Sequence, residues 1–95
     1  MTKKRYLSSK RLDVINDNVL DIMYFVKESM CDESNEILMH CDIIRCAMIN
    51  KNYKDEEKLA VADMRFRAIF HVMSNWNGVP DKVKKIVSDV MSQLL

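Results

Sequence analysis

Hydrophobic residues recur at intervals of three and four over the first third of the chain, with acidic and polar residues between them. This spacing places them on one face of an α-helix, because 3.6 residues complete a turn. Ser8 and Ser9 are both suited to capping the start of the helix, and the pattern continues to about Met30. The sequence therefore predicts a first amphipathic helix over residues 8–30. Its buried face would consist of Leu12, Ile15, Val19, Ile22, Met23, Val26 and Met30.

A second hydrophobic pattern runs from about Ser34 to Asn50 and covers more of the helix surface. The polar segment before it, residues 31–35, offers capping side chains and places acids where a helix dipole favours them. A helix that is apolar over most of its girth belongs at the centre of a bundle or at an oligomer interface. One stripe is Ile37, Cys41, Ile44 and Met48, and the other is Leu38, Met39, Ile43, Cys46 and Ile49.

Two further helices follow along the chain. The third is predicted to begin near Asp55 and to end at Asn77 and Gly78, with Gly78 in the left-handed conformation that often ends helices. On its outer face Asp63 and Arg67 are spaced for an ion pair within the helix. Pro80 can open the fourth helix, where its missing N–H costs nothing. Their buried stripes would be Leu59, Ala62, Phe66, Ile69, Met73 and Trp76, then Val83, Ile86, Val87, Val90 and Leu94.

These four segments predict an all-α fold, a small antiparallel bundle of three long helices and a short C-terminal one. Residues 8–95 would form this single domain, preceded by a basic N-terminal arm over residues 1–7. The composition agrees, because one glycine and one proline in 95 residues are too few for turn-rich β architectures.

Charge is distributed unevenly. Residues 1–11 contain five basic and no acidic residues, whereas residues 12–50 contain eight acidic residues and two basic ones. The net charge is only +1, which argues against general binding of nucleic acid through a basic face.

No apolar run follows the charged N-terminus as a signal peptide would require, and none approaches the 18 residues of a membrane span. Three cysteines cannot all pair within one chain. We therefore expect reduced thiols and a cytoplasmic location, in a bacterial or host cytosol.

Catalytic and metal-binding patterns are absent from the sequence. His40, Cys41 and Cys46 are close in number, but their spacing spreads them around a helix, and we expect the cysteines to be buried. Cys31 is the best candidate for exposure, although the neighbouring acids Asp32 and Glu33 would disfavour its thiolate. His71 is interpreted as a partly exposed helix residue. A phosphate-binding loop needs several glycines, whereas this sequence contains one, so we expect no nucleotide hydrolysis by such a loop. We expect no enzyme activity, no metal and no cofactor.

Two features indicate binding. Lys3, Lys4, Arg5 and Tyr6 combine three cations with an aromatic ring, a combination suited to an anionic ligand or an acidic partner. Eight methionines suggest a surface that adapts to a partner. The candidate apolar interface consists of Met39, Ile43, Cys46, Met64, Met91 and Leu95.

The leading hypothesis is a small protein–protein interaction module, an inhibitor or adaptor that occupies a surface of another protein or of its own copies. Its Asn-, Asp-, Ile-, Met- and Lys-rich composition favours a phage or virus protein that blocks a host or defence factor. The alternative is a homo-oligomer that sequesters a small anionic ligand, such as a nucleotide signal, through the basic arm. A third hypothesis is a DNA-binding regulator using Lys82, Lys84 and Lys85, without a recognisable helix-turn-helix pattern.

Overall fold

The computed structural model describes the backbone of residues 2–94 and the side chains of residues 10–94. It contains α1 (Thr2–Val26), α2 (Asp32–Ile49), α3 (Asp55–Ser74) and α4 (Asp81–Leu94). Within this part of the chain all regular structure is helical, which confirms the predicted all-α class. The fourth helix is the shortest, with 14 residues against 25, 18 and 20 for the others.

The helices are arranged around α1 and α3. Each of these two contacts every other helix, whereas α2 and α4 contact both of them but, within the described residues, not each other. Of the two predicted places for α2, the centre of the bundle or an oligomer interface, the contacts do not favour the centre, and an interface stays a prediction. Its second apolar stripe is only partly used, because Met39, Cys46 and Ile49 remain exposed.

The core is built from the predicted stripes. Ile15, Val19, Ile22 and Val26 of α1 are fully buried, and so are Ile37, Cys41 and Ile44 of α2; α3 adds Ala62, Phe66 and Ile69, and α4 adds Val83, Val87 and Val90. Because these residues recur at intervals of three and four, each helix presents one continuous apolar face to the others. Phe66 is the largest fully buried side chain.

Both ends of α1 differ from the prediction. The helix begins at Thr2 rather than near Ser8, so the backbone of residues 2–7 continues the helix, and it ends at Val26 rather than Met30. Residues 27–29 form a turn, and Met30 adopts a positive φ of 50°. Met30 is 84% exposed, so its place in the predicted hydrophobic stripe does not reflect packing.

The start of α2 depends on Ser34. This fully buried side chain accepts a hydrogen bond from the Cys31 backbone N–H at 2.9 Å and donates one to the Cys31 carbonyl at 2.9 Å. Cys31 is the N-cap residue, and Asp32 and Glu33 occupy the first turn. The acids therefore lie near the positive end of the helix dipole, as predicted, but the helix starts two residues earlier than expected.

The predicted end of α3 at Asn77 and Gly78 is wrong in position and in its cause. The helix ends at Ser74 with Asn75 as its C-cap, and Gly78 does not have a positive φ. Gly78 instead lies against the buried Trp76 ring, where an added Cβ would be 3.0 Å from the indole Nε1. The Pro80 carbonyl then accepts hydrogen bonds from the backbone N–H groups of Val83 and Lys84, which opens α4.

Candidate interaction surface

The cysteines are distributed over different environments. Cys41 is buried, and burial together with the nearby Asp42 raises the pKa of its thiol to about 12. Cys31 is half-buried and Cys46 is exposed, so the expectation of buried cysteines holds for Cys41 alone. The most exposed thiol is Cys46 rather than Cys31, because Cys31 is engaged at the cap of α2.

His40 is the buried histidine, and it connects α2 to α3. Its Nδ1 atom lies 3.5 Å from Nη1 of Arg65. Burial, followed by the positive charge of Arg65, lowers the pKa of His40, while Glu36 opposes the shift. The neutral ring can accept a hydrogen bond from the guanidinium, so this pair holds two helices together. His71 is exposed on α3.

Potential ligands for a metal do not converge. Across the part of the chain with described side chains, no three His, Cys, Asp or Glu residues come together in a way that could hold a metal ion. The predicted ion pair does form: Nε of Arg67 lies 3.1 Å from a carboxylate oxygen of Asp63.

The basic residues singled out in the sequence lie at separate places. Lys3, Lys4, Arg5 and Tyr6 belong to the first turns of α1, but their side chains lie outside the described residues, so anion binding there stays a prediction. On α4, Lys82 lies over the ring of Phe25 at 5.1 Å from its centroid. Lys84 lies 3.8 Å from a carboxylate oxygen of Asp81, and Lys85 is exposed.

A small cleft lies where α1 meets the end of α2 and the start of α3. It has a volume of about 220 Å³ and is lined by Leu12, Asp13, Asn16, Met48, Ile49, Asp55 and Lys58. Lys58 donates a hydrogen bond from Nζ to the Met48 carbonyl at 2.8 Å and so satisfies the C-terminal end of α2. The sequence could not predict this cleft, since its walls come from three elements.

The outward face of α2 carries an apolar stripe. Met39, Ile43 and Cys46 are spaced by four and three residues, which places them together on the side of the helix opposite the buried Ile37 and Ile44. Met39 is 49% exposed, Cys46 is exposed and Ile43 is half-buried. These are three of the residues predicted to form the apolar interface.

The outward face of α3 carries a second apolar stripe around Met64, which is 63% exposed. Ala60, Val61 and Ala68 lie three or four residues from it and share its side of the helix. Ala60 is exposed, and Val61 and Ala68 are half-buried. Ala60 and Ala68 were not predicted, because small side chains give a weak hydrophobic signal, and neither was Val61. We call the two stripes together the α2–α3 surface, which consists of Met39, Ile43, Cys46, Ala60, Val61, Met64 and Ala68.

The remaining predicted interface residues contribute less. Met91 is half-buried and packs against the core, and Leu95 lies outside the described residues. Tyr24 of α1 is 64% exposed, but its ring contacts a charged group. Nζ of Lys27 lies over this ring at 4.8 Å from the centroid. Leu20, Ile49 and Phe70 are further exposed apolar side chains that lie outside the α2–α3 surface.

Comparison with known protein families, curated proteins and solved structures finds no match to this chain. Among its described helices, none combines the length and the apolar character that a membrane crossing demands.

Proposed function

We propose that this chain is a small helical protein–protein interaction module, which acts by covering a surface of another protein molecule. The observation that carries the proposal is the α2–α3 surface, where two helices each expose an apolar stripe away from the core. An inhibitor or adaptor works in this way, because occupying a surface requires no catalytic group. The identity of a host or defence factor as its target stays a prediction.

The relative direction of α2 and α3 follows from two contacts between them. His40 lies beside Arg65, and the Met48 carbonyl accepts a hydrogen bond from Lys58. Residue numbers therefore rise along α2 as they fall along α3, which supports an antiparallel pair. In that register Ile43 is level with residues 62 and 63, so it lies beside the gap between Val61 and Met64.

The two stripes also point to the same side of the pair. His40 and Arg65 mark the line where the helices meet. Counted from these two residues, Met39 and Met64 occupy the same position, one residue earlier in each helix. Two antiparallel helices are related by an approximate two-fold axis, so equivalent positions face the same way. The two apolar stripes then lie side by side on one surface of the helix pair.

Coverage by a partner would bury apolar surface that the folded chain leaves exposed at two methionines. Full burial of a methionine side chain contributes about 1.5–3 kcal/mol, and roughly half of that is unrealised at Met39 and Met64. Methionine also fits irregular surfaces because it is unbranched and flexible. The exposed alanines allow a partner helix to approach closely.

The test uses a photoreactive benzophenone amino acid placed at position 64 or, as the matched control, at position 24. Met64 and Tyr24 are almost equally exposed, at 63% and 64%, but only Met64 lies on the α2–α3 surface. In cells that produce the chain, irradiation should give a discrete protein adduct from position 64 and little from position 24. Equal labelling from both positions, or none from position 64, would overturn the proposal.

A further inference from the structure

We propose that the cleft at the junction of α1, α2 and α3 binds a small monovalent organic cation, an ammonium group on a short aliphatic stem. This site is separate from the proposed function, because no residue of the α2–α3 surface lines the cleft. Three features of the cleft carry this assignment: its size, its apolar walls and the charges among its lining residues.

The size of the cleft selects a small ligand. Its volume is about 220 Å³, whereas pockets that hold drug-sized molecules measure about 300–1,000 Å³. The cleft therefore suits a ligand of the size of one long side chain and is too small for a nucleotide.

Three apolar side chains form walls of the cleft. Leu12 is buried, Met48 is half-buried and Ile49 is 78% exposed. An aliphatic stem in the cleft would contact apolar surface of Ile49 that the described part of the chain leaves open to water. Burial of such surface is favourable, so the walls select a ligand with an apolar part.

The charges in the cleft favour a cation. Asp13 of α1 and Asp55 of α3 each supply a carboxylate, and Lys58 supplies one positive charge. The ammonium group of Lys58 is directed to the Met48 carbonyl at 2.8 Å, and neither aspartate takes part in the ion pairs formed by described side chains. The described lining residues therefore have a net formal charge of −1, which one monovalent cation neutralises.

The hydrogen-bonding groups also match an ammonium ion. Asp55 is not needed as a cap, because Glu57 accepts the hydrogen bond from the Lys54 backbone N–H at 3.1 Å. Asn16 lines the same cleft, and its side-chain carbonyl is a further acceptor. Two carboxylates and one amide correspond to the three donors of an ammonium group, which has no acceptor. The end of α2 adds partial negative charge, since its last turn contains no basic residue.

The first test measures binding of n-butylammonium to the full chain by NMR, using the methyl signals of Leu12 and Met48. These signals should shift with a Kd in the millimolar range. Each methylene buried by the walls should tighten binding about fourfold, so methylammonium should bind much more weakly. The uncharged control n-butanol should also bind more weakly. Equal affinity for butylammonium and either control, or no shift of the two methyl signals, would overturn the site.

The second test removes the carboxylates one at a time. Asp13→Asn and Asp55→Asn keep the side-chain shape and should each weaken butylammonium binding about two- to fivefold, the range for partly exposed ion pairs. The control Asp21→Asn removes the same charge from an exposed position of α1 about 12 Å further along the helix, and it should bind like the wild type. An equal loss in all three variants would reveal a general charge effect and overturn the site.

A free amine and a lysine side chain of another protein share this chemistry, and a third probe separates them. N-acetyl-lysine methylamide presents the same stem and ammonium group on a peptide backbone. Binding as tight as that of butylammonium would support a lysine side chain as the ligand. Butylammonium binding with exclusion of the peptide analogue would support a free amine.

Discussion

His40 is the residue whose protonation most directly affects the packing of α2 on α3. Its pKa is lowered by burial and by Arg65, so the folded state binds a proton less readily than the unfolded state. Above the ordinary histidine pKa of about 6.5 the ring is neutral in both states, and its contribution to stability is complete. Below that pH the unfolded state is protonated first, and stability falls until the lowered pKa is passed.

We therefore predict that part of the loss of stability between pH 7.5 and 5.5 depends on His40. Urea denaturation at each pH should show a smaller loss in His40→Gln than in the wild type. The control, His71→Gln, removes the exposed histidine and should behave like the wild type. Parallel pH profiles for the wild type and His40→Gln would contradict the assignment.

Gly78 illustrates how a glycine can be required by its neighbour rather than by its backbone. Its φ is not positive, so alanine can adopt the same backbone conformation. The added methyl group would, however, lie 3.0 Å from Nε1 of the buried Trp76, and the ring would have to move. Overpacking of this kind costs about 1 kcal/mol or more.

For Gly78→Ala we predict a loss of about 1 kcal/mol in the free energy of unfolding, with a shift in tryptophan emission. Trp76 is the single tryptophan, so the emission reports on the surroundings of this ring alone. An alanine at a compatible site normally stabilises by about 0.4–1 kcal/mol. A stabilisation of that size with unchanged emission would show that the ring has room.

At the scale of elements, the start of α2 depends on one hydroxyl group. Ser34 pairs with both backbone groups of Cys31 and is fully buried. In Ser34→Ala the Cys31 N–H loses its partner, and we predict a loss of about 1–2 kcal/mol. Ser92 supplies the control, because its hydroxyl donates to the Ser88 carbonyl on an exposed helix face. Equal thermal stability of Ser34→Ala and Ser92→Ala would contradict the capping role.

The interiors of the helices could be predicted from the sequence, but their ends could not. Periodic burial is a property of many residues at once, so the stripes around Ile22, Ile44 and Phe66 were identified correctly. An end depends on a single local arrangement, such as the Ser34 cap or the positive φ of Met30. Residue spacing contains no information about either.

Only some residues of the α2–α3 surface could be predicted from the sequence. Met39, Ile43, Cys46 and Met64 were selected because they lie off the main stripes of α2 and α3. Ala60, Val61 and Ala68 became apparent only with their exposure and spacing around Met64. Which helix lies beside which is a property of the tertiary structure, and contacts such as that of His40 with Arg65 supply it.

At the scale of the whole molecule, the bundle has two different sides. Near the end of α1 and the start of α4, the cations Lys27 and Lys82 lie over the rings of Tyr24 and Phe25. The pair α2 and α3 exposes the α2–α3 surface. As an interaction module, the chain should have this surface covered by another protein molecule in the cell.

Oxidation of methionines by peroxide, followed residue by residue with mass spectrometry, tests this claim within one molecule. Met39 and Met64 belong to the α2–α3 surface, whereas Met30 is exposed in the loop between α1 and α2. In cells that produce the chain, Met39 and Met64 should be oxidised more slowly, relative to Met30, than they are in the purified chain. Equal relative oxidation rates in cells and in the purified chain would show that the surface remains open, and would contradict the interaction module.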